Sequence, residues 1–284
     1  MTEYDARESE QGRNGVTRGA AALFPASVIL VERFHDIPDG RLPDGRAPDG
    51  LLPGGGFSDG RSPGGGLPGR PPGGGLSDGL FPEERRLVDR AVDRRRREFT
   101  TARICAREAL RRLGRPAVPV LRGSSGAPLW PAGVLGSITH CEGYRAAAVT
   151  TAGRVTGLGL DAEPNLPLAD PAMLPLISLP AERRHLADLA ADPVAAAGGA
   201  DVHWERLLFS AKESVYKAWN PMTDRRLGFA DAEITFSPGD GTFRALPTVR
   251  GHGGERGFDG TWQLRAGILL TAVTVVSDAG GERP

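Results

Sequence analysis

Between Pro38 and Leu80 the chain holds 15 glycines and 8 prolines in 43 residues, and that block limits what the remainder can build. Many of the glycines recur about every five residues, as in PDGRL, PDGRA, PDGLL and PGGGF. Collagen needs glycine at every third position, so this repeat is not collagen-like. Gly and Pro at this density cannot bury enough apolar surface to offset the entropy of ordering the chain. The block reads as a disordered insertion in a surface loop. The polar stretch 1–19 reads as a disordered tail, and 278–284 as another. What remains of the 284 residues can still bury a real core, as one large domain or two modest ones.

Charge narrows the classes of partner. Lys and Arg total 35 and Asp and Glu total 35, so the formal charges cancel. The balance is uneven along the chain: from Glu83 to Arg115 there are twelve arginines against six acids. A neutral chain with one basic segment points to an anionic ligand at that place, not to general attraction for nucleic acid. Cys105 and Cys141 are the two cysteines, too few for a disulfide framework, and no C-x-x-C spacing occurs. No run approaches the ~20 apolar residues that cross a bilayer, and the first residues lack an apolar signal-peptide core. The expectation is a cytoplasmic protein with no membrane contact.

Periodicity outlines the folded parts. Val28 to Val31 reads as a strand. Phe81-Pro82-Glu83-Glu84 is a helix start and Gly114 with Pro116 a stop, with apolar Phe99, Ala102, Ala106, Leu110 and Leu113 at helical spacing. Strands follow at Ala146 to Thr151 and Val155 to Ala162, and His140 falls in a turn just before the first. A second helix spans His203 to Trp219, and short strands follow near 234–236, 242–245, 262–265 and 268–276. Helix–strand–strand followed by helix–strands predicts an α+β protein. It would have two similar subdomains, 20–152 (carrying the 38–80 insertion) and 153–277, each a small antiparallel sheet against a long helix.

Gly157-Leu158-Gly159-Leu160-Asp161-Ala162-Glu163 is the sharpest local feature. Residues two apart on a strand share a face, so Asp161 and Glu163 sit side by side, ~7 Å apart. Glu213, on the second helix, is a third candidate. Mg2+ takes hard oxygen ligands, few carboxylates and a substrate phosphate, and these acids would suit it. The same Asp-x-Glu also describes a solvated strand edge, and Glu213 four residues before Lys217 also describes an ordinary helix pair. Gly157-x-Gly159 is not a dinucleotide fingerprint, because the third glycine is missing and prolines follow. Arg94 to Arg97, Arg103 and Arg107 suit phosphate chemically, and equally suit a solvated helix with acidic neighbours.

Taken together, four blocks resemble the 4′-phosphopantetheinyl transferase superfamily, in particular its enterobactin- and surfactin-type branch and the actinobacterial members. They are the Arg95–Arg103 helix, Arg122-Gly123-Ser124-Ser125-Gly126-Ala127-Pro128, Gly136-Ser137-Ile138-Thr139-His140-Cys141, and the Gly157–Glu163 strand with Phe209-Ser210-Ala211-Lys212-Glu213-x-x-x-Lys217 behind it. The resemblance implies coenzyme A as substrate, Mg2+ or Mn2+ as cofactor, and acyl or peptidyl carrier proteins as partners of a single chain. Asp161, Glu163 and Glu213 would hold the metal. Glu213 would take the carrier serine's proton, and Lys217 would balance charge on the leaving group. Lys212 and Lys217 would contact the pyrophosphate, and Arg95, Arg103, Arg122 and His140 would grip the 3′-phosphate. Ser125 stands where many relatives carry lysine. A carrier would dock near Phe209 and Trp219. The same acids could serve a Mg2+-dependent phosphohydrolase or nuclease, and an inactive carrier-binding module is a further alternative.

Overall fold

The computed structural model describes residues 20–37, 79–192, 202–248 and 257–277. Both expected tails, and the expected insertion as far as Ser77 and Asp78, lie outside them. Gly79 and Leu80 instead belong to the fold. The Gly79 carbonyl accepts from Arg107, and Leu80 is buried beside Val88 and Phe99.

The first half comprises β1 (Ile29–Arg33), α1 (Pro82–Arg86), α2 (Asp93–Arg112), the short β2 (Leu121–Arg122) and β3 (Pro128–Leu129), β4 (Val134–Cys141) and β5 (Tyr144–Thr151). The second comprises β6 (Val155–Pro164), α3 (Leu174–Ile177), α4 (Pro180–Ala191), α5 (Trp204–Thr223), β7 (Ala232–Ser237), β8 (Thr242–Pro247), β9 (Phe258–Arg265) and β10 (Ile268–Val276). Two antiparallel sheets result, ordered β1-β5-β4 and β6-β10-β9-β8-β7, with β2 and β3 as a separate ribbon. Each long helix covers one sheet, so the α+β architecture follows the sequence expectation. Among the described residues no helix is long and apolar enough to cross a membrane.

The period of two on the strands sorts side chains into layers. Ala147 and Val149 of β5 pack on Cys105, Ala106, Ala109 and Leu110 of α2. Ala146 and Ala148, one step out of phase, face Leu158, Leu160 and Ala162 of β6 and Leu270 and Ala272 of β10. Leu269 and Val273 of β10 turn the other way, onto Leu208, Ala211 and Val215 of α5. The sheets therefore face each other through a layer rich in alanine, and α2 and α5 lie on the outer faces. Edge strands β4 and β6 meet through a side chain: the Ser137 hydroxyl accepts from the Leu160 N–H at 3.0 Å and donates to the Leu160 carbonyl at 3.5 Å.

Three local expectations change. His140 lies inside β4, not in a turn. The helix expected to run from Pro82 to Gly114 is broken into α1 and α2. Glu84 must turn inward at the break, where it is fully buried and accepts from Arg107 at 2.9 Å. Trp219, expected near a carrier-docking surface, is buried in the second core.

Each half repeats one buried device. Glu84 accepts from the Phe81 N–H that precedes its own helix (3.1 Å), from the Val120 N–H (2.8 Å) and from Arg107 of α2. Glu182 accepts from the Leu179 N–H (2.6 Å), from the Ile234 N–H of β7 (2.7 Å) and from Lys212 of α5 (2.9 Å). In both cases an apolar residue, a proline and one further residue precede the glutamate, which caps its own helix from the third position. Removing one partner of such a pair strands a buried charge. Glu182→Ala should therefore cost about 3–5 kcal/mol in denaturant unfolding; a loss under about 1 kcal/mol would contradict this account.

Candidate active site

The glycines before Asp161 are explained by helix α5. A Cβ on Gly159 would lie 1.9 Å from the Ser214 carbonyl oxygen, and one on Gly157 would lie 2.3 Å from the Met222 sulfur. The helix backbone thus rests on the strand itself. Two strand residues rise ~6.6 Å and four helix residues ~6 Å, so the contacts stay in step. Gly157 meets the Ala218 carbonyl, Gly159 the Ser214 carbonyl, and Asp161 the Ser210 hydroxyl.

That register gathers the polar groups around Asp161, which is almost wholly buried. Its Oδ1 accepts from the Lys217 ammonium at 2.7 Å and the Thr139 hydroxyl at 3.2 Å, and its Oδ2 accepts from the Ser210 hydroxyl at 2.9 Å. Burial and then the Asp161 charge push Glu213 up, with Lys217 opposing. The same two causes push Glu163 up from 4.5 to about 7, with Arg206 and Lys217 opposing.

The three acids are electrostatic neighbours, yet they do not converge on one point as sequence reasoning expected. Among the described residues no three His, Cys, Asp or Glu side chains are grouped to hold one ion. Glu163 instead pairs with Arg206 at 3.2 Å, whose other nitrogens donate to the Leu166 and Pro167 carbonyls. Arg206 was missed because its position in the chain carries no sign that Glu163 lies beside it. The donor chemistry still fits a hard divalent cation. Asp161 is buried and Glu163 and Glu213 half-buried; the three repel one another and are balanced here by Lys217 and Arg206.

Lys212 departs further from expectation. It is buried, and its ammonium donates to Glu182, to the Phe229 carbonyl and to the Ala232 carbonyl. With its three protons so engaged it is a strut of the second half, and the expected pyrophosphate contact is withdrawn.

The basic residues do come together. Arg95, Arg103, Arg122 and His140 line a cavity of about 110 Å³ with Phe99 and Ala102. Arg103 stacks over the Phe99 ring at 4.2 Å, and its Nε lacks a hydrogen-bond partner among the described residues. Burial pulls Arg103 down to about 10 against the attraction of Glu84, so it remains charged at neutral pH. Burial and the neighbouring Arg95 pull His140 down to about 4. The ring is therefore neutral, and its Nε2 accepts from Arg95.

Arg122, Gly126, Pro128, Ile138 and His140 are shared with a cavity of about 350 Å³ between the halves, whose other walls include Ser125, Glu213, Tyr216 and Lys217. Glu213 and Tyr216 also border a third cavity of about 260 Å³, lined by Val215, Leu227 and Phe229 together with Lys212 and Arg226. Three neighbouring spaces thus lead from a cationic pocket, past Glu213, to a pocket of mixed lining.

Comparison with known proteins finds matches to both halves of the chain. A profile for the 4′-phosphopantetheinyl transferase N-terminal domain fits residues 83–150, and one for the 4′-phosphopantetheinyl transferase superfamily fits residues 157–257. The chain is 53% identical over 205 residues to 4′-phosphopantetheinyl transferase Svp of Streptomyces mobaraensis, covering 71% of this chain and 80% of that one. The chain belongs to the 4′-phosphopantetheinyl transferase superfamily. Two further relatives are Npt of Nocardia iowensis, 44% identical over 204 residues (68% and 87% covered), and PptT of Mycobacterium tuberculosis, 44% identical over 212 residues (69% and 86% covered). All three are named 4′-phosphopantetheinyl transferases, in keeping with the actinobacterial branch expected from the motifs.

Two predictions follow from the site as a phosphopantetheinyl transferase carries it. Gly159→Ala should drive α5 off β6 and destabilise the protein by about 1–3 kcal/mol; an unchanged denaturant midpoint would refute the contact. The second concerns pH. Glu163 is raised when folded, so the unfolded chain loses its proton first. Without divalent ions the melting temperature should fall as pH rises from 4.5 through about 7. Added Mg2+ should offset the fall, and a Tm profile equally steep with and without the ion would contradict the assignment.

Proposed function

We propose that this chain transfers the 4′-phosphopantetheine arm of coenzyme A to a serine of apo acyl or peptidyl carrier proteins, releasing 3′,5′-ADP. The supporting observation is the run of neighbouring cavities that share Arg122, His140, Glu213 and Tyr216 as walls. The cationic pocket of Arg95, Arg103, Arg122 and His140 suits the 3′-phosphate, since arginine offers paired donors that stay charged. Neutral His140 contributes a donor at Nδ1, its Nε2 being taken by Arg95. The diphosphate would lie in the middle cavity beside Lys217 and Glu213, and the neutral arm would extend past Glu213 and Tyr216 toward Leu227 and Phe229.

Asp161, Glu163 and Glu213 would hold Mg2+, or Mn2+ in its place. The ion when bound would offset charge on the diphosphate oxygens. The serine hydroxyl forms the new bond to phosphorus as the bond to the 3′,5′-ADP oxygen breaks. Glu213, made more basic by burial and by Asp161, takes the serine proton. Lys217, a cation bordering the same cavity, steadies the leaving phosphate. No residue of this chain acts as nucleophile, because the acceptor brings its own.

The test is to incubate the protein with coenzyme A, Mg2+ and an apo-carrier and weigh the carrier. A gain of one phosphopantetheine is expected. Nucleotide release with no gain would instead favour a phosphohydrolase. Asp161→Ala should lower transfer by at least about a hundredfold, with its circular dichroism unchanged. Near-normal turnover in that variant would remove Asp161 from the site.

A further inference from the structure

Resting on the activity proposed above, we infer that Thr139 and Ser210 are positioning residues that hold the Asp161 carboxylate in one orientation from opposite halves of the protein. Thr139 comes from β4 of the first half, and its hydroxyl donates to Oδ1 at 3.2 Å. Ser210 comes from α5 of the second, and its hydroxyl donates to Oδ2 at 2.9 Å. Both residues are buried. Ser210 is itself fixed by Thr271 on β10, the residue paired with Asp161 in the sheet: the two hydroxyls lie 2.9 Å apart, and the Thr271 hydroxyl donates to the Ser210 carbonyl at 2.9 Å.

A carboxylate offers about four lone-pair directions. Thr139, Lys217 and Ser210 use three of them. The two hydroxyls come from rigid strands and a packed helix, whereas the ammonium sits on a flexible stem. The hydroxyls therefore set the orientation. Lys217, which also donates to the Leu160 carbonyl at 3.1 Å and borders the cavity, could turn toward another anion while the two hydroxyls still held Asp161. Outer hydrogen bonds of this sort orient metal-ligating carboxylates. Here one of the two crosses between the halves, on the same strand face where Ser137 already holds Leu160. A relative shift of the halves would then be felt at Asp161.

The experiment compares Thr139→Val, which keeps the shape but loses the donor, with Thr139→Ser and Ser210→Ala in the full chain. Mn2+ binding is measured by electron paramagnetic resonance alongside kcat and KM for coenzyme A. Thr139→Val and Ser210→Ala should each weaken Mn2+ binding by about tenfold and lower kcat by a similar factor, with KM for coenzyme A within about twofold. Thr139→Ser should restore both quantities. Unchanged Mn2+ affinity in both donor-less variants would overturn the inference, as would a Thr139→Ser variant that falls as far as the valine one. Should Thr139→Val fail to fold, Ser210→Ala decides by the same two readouts. An unaltered protein that binds Mn2+ but leaves the carrier unmodified would sink the proposed activity instead, and the Mn2+ titration would still judge the positioning.

Discussion

The close approach of α5 to β6 governs the chemistry of this protein. A helix backbone can touch a strand only where the strand carries no side chain, and Gly157 and Gly159 provide that gap. Any larger residue would force the helix outward, and Ser210, Glu213 and Lys217 would leave Asp161 with it. The contact also sets a register in which two strand residues match four helix residues, so that one stripe of α5 faces one edge of β6. The acids and the lysine are gathered by this packing, not by attraction among themselves. Attraction alone would not assemble them, because the carboxylates repel one another and resist burial.

The two halves solve one further problem in the same way. A short helix must start where its first N–H groups have no helical partner. In each half a glutamate in the first turn reaches back to the preceding N–H, spends its other oxygen on the N–H of a distant segment, and is neutralised by a cation from the long helix. Arg107 plays this part in the first half and Lys212 in the second. The repetition supports reading the protein as two related halves, and it removes Lys212 from the chemistry. A lysine next in sequence to an active-site acid can belong to a different network, because neighbouring positions on a helix point about 100° apart.

Much of this was legible in the sequence, and the exceptions share a cause. The β10 strand was expected at 268–276, as found, and α5 was expected at 203–219 against 204–223 observed; both carry strong periodicity. Arg95, Arg103, Arg122 and His140 were named together and do line one pocket. By contrast, the break between α1 and α2 depends on Glu84 turning inward to meet Arg107, a tertiary contact with no mark in helical periodicity. The helix α4 went unread for a similar reason. Its Leu-Pro-Ala-Glu start repeats the pattern at Phe81, but the meaning of that pattern appears once Lys212 is seen against Glu182. The glycines of β6 were read for what they failed to match, since their real partner lies more than fifty residues away in α5. Glu163 was placed on the correct strand face, yet its pairing with Arg206 turns on a helix whose position no local pattern gives.

A site that holds acids and arginines within one cleft must keep them from simply neutralising each other. On a helix surface they do so readily: Arg94 pairs with Glu98, and Arg111 and Arg112 pair with Glu108, each within one turn. In the cleft the arginines of the cationic pocket hang on one frame, α2 and β2, and the acids on another, β6 and α5. Lys217 and Arg206, which share α5 with Glu213, pair with Asp161 and Glu163. These frames are locked by the alanine-rich layer between the sheets and by the Ser137 contact with Leu160. Neutral His140 stands between them and absorbs the Arg95 donor without adding charge. The separation leaves the Arg103 Nε with no hydrogen bond among the described residues, 3.9 Å from Glu84, and leaves Glu213 pushed up by burial and by Asp161, with Lys217 opposing. Under the proposed function a terminal phosphate would answer the Arg103 guanidinium, whereas a diphosphate beside Glu213 would need a divalent ion between the two like charges.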